Sequence, residues 1–160
     1  MKALEELVWE LCTERGCTLA LAESCTGGAL SARLTSIAGA SSYFLGSAVT
    51  YSNEAKKRLL SIDEELLSRH GAVSALVVCQ MAERAQKLFS SDYAVATSGI
   101  AGPSAGSLTQ PVGTVHSAIA RRGGITHSFV DHFLGTRSSV IEQSCNKILE
   151  RLITQLLAEG

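Results

Sequence analysis

Three times along the chain a short apolar stretch runs into small polar residues at a point where the backbone must turn: residues 22–28 (AESCTGG), 49–56 (VTYSNEAK) and 96–103 (ATSGIAGP). The first two lead into segments with helical spacing. A strand that breaks into an elbow and then a helix is the repeating unit of α/β folds, so these stretches constrain the architecture more than any other feature.

The remaining periodicity fits that frame. Leu4, Leu7, Val8 and Leu11 predict a helix over 3–14, stopped at Gly16. A short strand is expected over 17–22, a helix over 27–36 with Leu30 and Leu34 inward, and a second strand over 44–51. Asn53 is placed to cap the following helix, and Ser61 with Glu64 has the spacing of a capping box for another that ends at His70 and Gly71. Val77, Met81, Ala85 and Leu88 mark a helix over 74–88, and residues 92–100 form a strand. Residues 112–120 and 124–133 predict a hairpin turning at 121–124. A closing helix starts at Arg137, with Ile141, Cys145, Ile148, Leu152 and Leu156 on one face. The expectation is one domain over 1–160: a three-layer α/β/α sandwich with a mixed, mostly parallel sheet and at least one antiparallel strand. Hydrophobic residues make up 46% but aromatics only 5%, so the core volume must come from Leu, Ile, Val and Ala.

Right-handed crossovers bring the carboxyl ends of parallel strands to one edge, where open α/β sheets bind ligands. The first elbow offers Ser24, Cys25 and Thr26 as nucleophiles and, with Gly27 and Gly28, backbone amides for an oxyanion or phosphate. The third offers Ser98, Gly99, Ile100 and Gly102. In the second, Tyr51 ends its strand beside Thr50, and Lys56 falls in the first turn of the next helix. A lysine there opposes the helix dipole, which favours its neutral form by only ~0.3–1 kcal/mol. Bringing a lysine from ~10.4 to ~7–8 takes about 4 kcal/mol, so burial must supply most of the shift a general base needs. A serine with a lysine base is a nucleophilic arrangement that needs no metal.

Other function classes are disfavoured. A net charge of −1 and a pI near 6.4 supply no field for nucleic acid. No apolar run approaches the ~20 residues of a membrane span. Acids interrupt the N-terminal apolar pattern, unlike a signal peptide, so a cytoplasmic protein is expected. Five scattered cysteines show no C-x-x-C pair. Cys25 as nucleophile would need a nearby histidine, and His70, His116, His127 and His132 are remote from every elbow in sequence. Strand alternation separates His132 from His127 and Asp131, which argues against a shared metal. No cofactor is expected.

Together, AESCTGG, VTYSNEAK, HGAVS (70–74), SGIAGP (98–103) and PVGTV (111–115) resemble the CinA C-terminal domain family, from about residue 4 to the last helix. The resemblance implies a mixed-sheet α/β/α fold and a homodimer. For members resembling this chain in size it implies hydrolysis of nicotinamide mononucleotide to nicotinic acid mononucleotide and ammonia, in pyridine nucleotide recycling. It implies catalytic roles for Ser24, Tyr51 and Lys56, with Tyr51 relaying a proton or orienting the lysine. Whether Ser24 forms a covalent intermediate or positions a water is left open. Arg137, with helix N-terminal amides, is the candidate for the substrate phosphate. The chain departs from the family pattern at Ser104, Ala105, Gln110 and Thr136. The alternative is a non-catalytic nucleotide- or partner-binding module of the competence/damage-inducible type.

Overall fold

A computed structural model describes residues 1–160. The chain runs α1 (Leu4–Arg15), β1 (Leu19–Glu23), α2 (Ala29–Thr35), β2 (Phe44–Val49), α3 (Asn53–Leu60), α4 (Glu64–His70), α5 (Ala75–Phe89), β3 (Tyr93–Gly99), β4 (Thr114–Arg121), β5 (His127–His132) and α6 (Arg137–Ala158). The five strands order β2-β1-β3-β4-β5. β1 lies parallel to both β2 and β3, while β4 is antiparallel to β3 and β5 antiparallel to β4. The expected mixed sheet between helical layers is therefore what forms.

The two faces of the sheet carry different side chains, and each recruits its own helices. Because successive strand residues point to opposite faces, Leu19, Leu21, Val95 and Ile119 join one cluster with Val8 of α1, Leu30 and Leu34 of α2, and Ile148, Leu149 and Leu152 of α6. The other face presents Ala22, Ala48, Ala94, Ala96, Ala118 and Ala120 to Val77, Val78, Met81, Ala82 and Ala85 of α5, with Leu60 of α3 and Leu67 of α4 beside them. Small side chains there let α5 lie close against the strands. With so few aromatics, Leu and Val on one side and Ala on the other fill the core.

This layering fixes a crevice. The helix that follows β1 packs on the first face and the helix that follows β2 on the second, although β1 and β2 are neighbours. Adjacent strands whose chains depart to opposite faces form a topological switch point, open beyond their carboxyl ends.

Several boundaries differ from the sequence expectation, for local reasons. Gly16 adopts a left-handed conformation at the end of α1, so β1 starts at Leu19 rather than 17 and extends through Glu23. β2 stops at Val49 rather than 51. The cap of α3 is Ser52, whose hydroxyl accepts from the Ala55 amide at 3.0 Å, and not Asn53. Ser61 forms no capping box with Glu64: it sits in the left-handed region (φ 54°) as the residue closing α3. Asp63 precedes α4 instead, tied through its amide and carboxylate to Gln80 at 2.9 Å each.

Leu21 is the middle residue of β1, a strand paired on both sides, and is 1% exposed. Leu21→Ala is expected to lower the unfolding free energy by about 2–5 kcal/mol. Urea denaturation should show a reduced midpoint with an unchanged slope.

Candidate active site

The ladder bonds of β1 continue past its last residue and shape the first elbow. The Ser24 amide donates to the Thr97 carbonyl at 3.0 Å, and the Thr50 amide donates to the Glu23 carbonyl at 2.9 Å. The first elbow is thus fixed to the ends of β2 and β3 together. Alternation along β1 sends Glu23 toward the α2 face and Ser24, the next position, toward the α3 face. Gly27 (φ 57°) and Gly28 (φ 102°) then turn the chain into α2, conformations that a side chain would oppose.

On α3, Lys56 shares a helix face with Leu60, one turn later, and both are buried. Lys57 and Arg58 instead pair with Glu54 at the surface. Side chains on a helix lean toward its N-terminus, so the Lys56 stem carries its amine back over the start of α3. The Nζ atom reaches 2.9 Å from Ser24 Oγ, 2.8 Å from the Thr50 carbonyl and 3.5 Å from the Tyr51 carbonyl. Lys56 is 1% exposed and forms no ion pair. Burial pushes its pKa below the ordinary lysine value, opposed only by the Cys25 thiol. A neutral amine has two N–H donors and one lone pair. The two carbonyls accept the donors, and the lone pair is left for the Ser24 hydroxyl proton.

The other singled-out residues are placed as follows. Tyr51 is 57% exposed as a residue, and its phenol oxygen accepts from Arg137 Nη2 at 2.6 Å, while its carbonyl lies 3.5 Å from Lys56 Nζ. Arg137 Nη1 donates to the Gly102 carbonyl at 2.7 Å, joining the second and third elbows. Thr50 is fully buried and presents its carbonyl, while its hydroxyl has no partner. Cys25 lies in an apolar cluster with Ala101, Val115 and Val140, and burial pushes its thiol up to about 12. That is the opposite of what a nucleophilic thiolate needs.

Thr26 points inward, donating to Glu23 Oε1 at 2.7 Å and meeting Thr97 Oγ1 at 2.9 Å. In the third elbow the Ser98 hydroxyl donates to the Ala72 carbonyl at 2.8 Å, and the Ile100 amide donates to the Thr114 carbonyl at 2.9 Å. The Ile100 amide is thereby engaged, whereas the amides of Cys25, Thr26 and Gly28 donate to no acceptor in the protein. Elsewhere, Asp131 pairs with Arg151, and His132 Nδ1 lies 3.3 Å from Thr114 Oγ1.

Sequence reasoning gave Glu23 no role. It is fully buried at the end of β1, and its carboxylate accepts from five donors around the start of α2. An acid at the end of an otherwise apolar buried run is the signal that could have found it. A cavity of about 350 Å³ at the amino edge of the sheet is lined by Arg15, Arg121, Arg122, Asp92 and Glu159. Its charges pair with one another (Arg121 with Glu159 at 3.6 Å, Arg122 with Asp92 at 3.9 Å), and it holds no counterpart to the serine–amine contact.

The lowered lysine gives a measurable sign. Above its folded pKa but below ~10.4, the unfolded chain binds a proton that the folded amine has released, so this group makes stability rise with pH through that window. Unfolding free energies measured across the alkaline range should carry this rise in the wild type, and Lys56→Met should remove it.

Comparison with known proteins places the chain. The CinA C-terminal domain model matches residues 1–156. A CinA-like protein of Geobacter sp. (strain M21) is 48% identical over 147 residues, covering 92% of this chain but 35% of that protein, so the chain spans about a third of such relatives. The nicotinamide-nucleotide amidohydrolase PncC of Shigella flexneri is 46% identical over 154 residues, covering 96% of this chain and 93% of that protein. Among solved structures, the competence damage-inducible protein A (ComA) of Klebsiella pneumoniae superposes with a TM-score of 0.93 at 36% identity, covering 96% of this chain and 95% of that one. With five strands in the same mixed sheet and a family match over nearly its whole length, the chain belongs to the CinA C-terminal domain family.

Proposed function

We propose that this protein is an amidohydrolase that converts nicotinamide mononucleotide to nicotinic acid mononucleotide and ammonia, with Ser24 as nucleophile and Lys56 as its base. The observation that carries the chemistry is the 2.9 Å approach of Lys56 Nζ to Ser24 Oγ, with the amine buried and without a counter-ion. The substrate class is supported by 46% identity to the PncC amidohydrolase over nearly the full length of both chains.

Lys56 takes the Ser24 hydroxyl proton as Oγ attacks the carboxamide carbon. The carbonyl oxygen gains negative charge, and the open amides of Cys25 and Thr26 receive it. The ammonium of Lys56 returns its proton to the departing nitrogen, the C–N bond breaks, and ammonia leaves. Water, deprotonated by the same amine, then attacks the acyl–serine ester, the C–Oγ bond breaks, and the Lys56 ammonium returns its proton to Ser24 Oγ as the carboxylic acid product leaves, ionised in water. Tyr51 contributes its carbonyl to the lysine and its phenol to Arg137, which stands at the mouth of the crevice and binds the substrate phosphate. Five free cysteines fit a reducing, cytoplasmic setting, and the homodimer implied by the family resemblance belongs to the same proposal.

Ammonia release from nicotinamide mononucleotide tests this directly. Ser24→Ala and Lys56→Ala should each lower kcat/KM by at least ~10³-fold, and equal rates in all three proteins would refute the assignment. The wild-type rate should climb with pH and level off above the Lys56 pKa, since only the neutral amine accepts the proton. Arg137→Ala should raise KM while leaving kcat nearly unchanged, the pattern of lost ground-state binding.

A further inference from the structure

We infer that Glu23 is a positioning residue, whose buried carboxylate holds the turn after Ser24 in the shape that presents the amides of Cys25 and Thr26 to the developing oxyanion. The inference rests on the serine–lysine reading above.

Glu23 is fully buried, yet it touches neither Ser24 Oγ nor Lys56 Nζ, so the proton transfer does not use it. Its two oxygens have divided duties. Oε1 accepts the Thr26 hydroxyl at 2.7 Å and the Leu30 amide at 2.9 Å. Oε2 accepts the Ser31 amide at 3.1 Å, the Ser31 hydroxyl, and the Ser47 hydroxyl at 3.4 Å. Since the Thr26 proton goes to the carboxylate, the contact between Thr26 Oγ1 and Thr97 Oγ1 must be donated by Thr97. A chain of bonds therefore runs from Thr97 on β3 through Thr26 to Glu23 on β1 and on to the first residues of α2.

Thr26 is the one side chain of the elbow tied into this chain, and it sits two residues after the nucleophile. Fixing its hydroxyl inward fixes the peptide planes on either side of it. The amides of Cys25 and Thr26, which find no acceptor in the protein, are held by that tie. Only a carboxylate suits all five donors. In Glu23→Gln an NH₂ replaces one acceptor oxygen, so at least one backbone N–H of α2 would face another donor.

The test uses a reporter that does not depend on the natural substrate. A phosphonofluoridate ester reacts with an activated serine: the Oγ–P bond forms, fluoride leaves, Lys56 takes the proton, and the phosphoryl oxygen occupies the oxyanion position. The labelling rate constant of the reactive fraction is measured across pH, beside kcat and KM for ammonia release, for wild type, Glu23→Gln, Thr26→Val and Thr26→Ser. Glu23→Gln and Thr26→Val should label roughly 10- to 100-fold more slowly, below the ~10²–10³ loss from deleting an oxyanion donor outright. KM and the pH midpoint of labelling should stay in place, and Thr26→Ser should restore most of the rate lost in Thr26→Val. Mere partial unfolding would reduce the reactive fraction and leave its rate constant unchanged. Wild-type rate constants in both Glu23→Gln and Thr26→Val overturn the inference. So does a shift of the pH midpoint that accounts for the whole loss, since Glu23 would then act through the charge state of Lys56. Should Glu23→Gln fail to fold, Thr26→Val and its rescue decide alone. A wild type that labels at Ser24 but releases no ammonia refutes the substrate and leaves the positioning role to the labelling result. A wild type that does neither overturns both readings.

Discussion

The site depends on one unusual burial: an amine sealed from water with no carboxylate to answer it. Transfer of a charged ammonium into an apolar interior costs far more than any of its hydrogen bonds returns, and the ordinary outcome is loss of the proton. Burial pushes Lys56 in that direction. It meets two carbonyls and one hydroxyl, a set that a neutral amine satisfies completely. The two carbonyls orient it as well, leaving one direction for the lone pair. A carboxylate in their place would have held the lysine charged and closed that direction.

The fold delivers this arrangement through the switch between β1 and β2. Were both following helices on one face, Ser24 and Lys56 would project to opposite sides of the sheet. Alternation along β1 points the Ser24 hydroxyl away from the α2 face, and α3, packed on the opposite face from α2, covers the side it reaches. The alanine lining of that face matters here too. It brings α5 close to the strands, and α3 beside it lies near enough for the lysine stem to span from the helix to the end of β1.

The sequence made the strand–elbow–helix order, the mixed sheet and the edge carrying the elbows legible, because period-2 and period-3.6 patterns and turn chemistry are local. It singled out Lys56 among three consecutive cations by its place in the first turn of the helix, against the dipole. A physical ground also lies in the spacing to Leu60, which puts that lysine alone on the inward face. What stayed hidden was partner choice across the chain. Neither the Tyr51–Arg137 bond, 86 residues apart in sequence, nor the inward turn of Thr26 toward Thr97 follows from local pattern. The caps were misplaced by one or two residues for a related reason. Ser52 and Asn53 are both good caps, and the tertiary path of the chain decides that the Ser52 hydroxyl meets the start of α3, while Asp63 precedes α4 with its carboxylate turned to Gln80.

The two helix starts at the crevice treat charge in opposite ways, and this divides the labour of the site. At α3 a basic side chain is buried without a counter-ion and its pKa is pushed down. At α2 an anionic side chain is buried with five donors, two of them backbone amides of the helix itself. That carboxylate takes up the Leu30 and Ser31 amides at the start of α2. The free amides that remain belong to the elbow, nearer Ser24 than the helix proper. One strand end thus supplies a hydroxyl on its α3 side, 2.9 Å from the Lys56 amine, and a braced turn on its α2 side, where amide donors stay open. At the rim, Arg137 bridges the other two elbows, donating to the Gly102 carbonyl and to the Tyr51 hydroxyl.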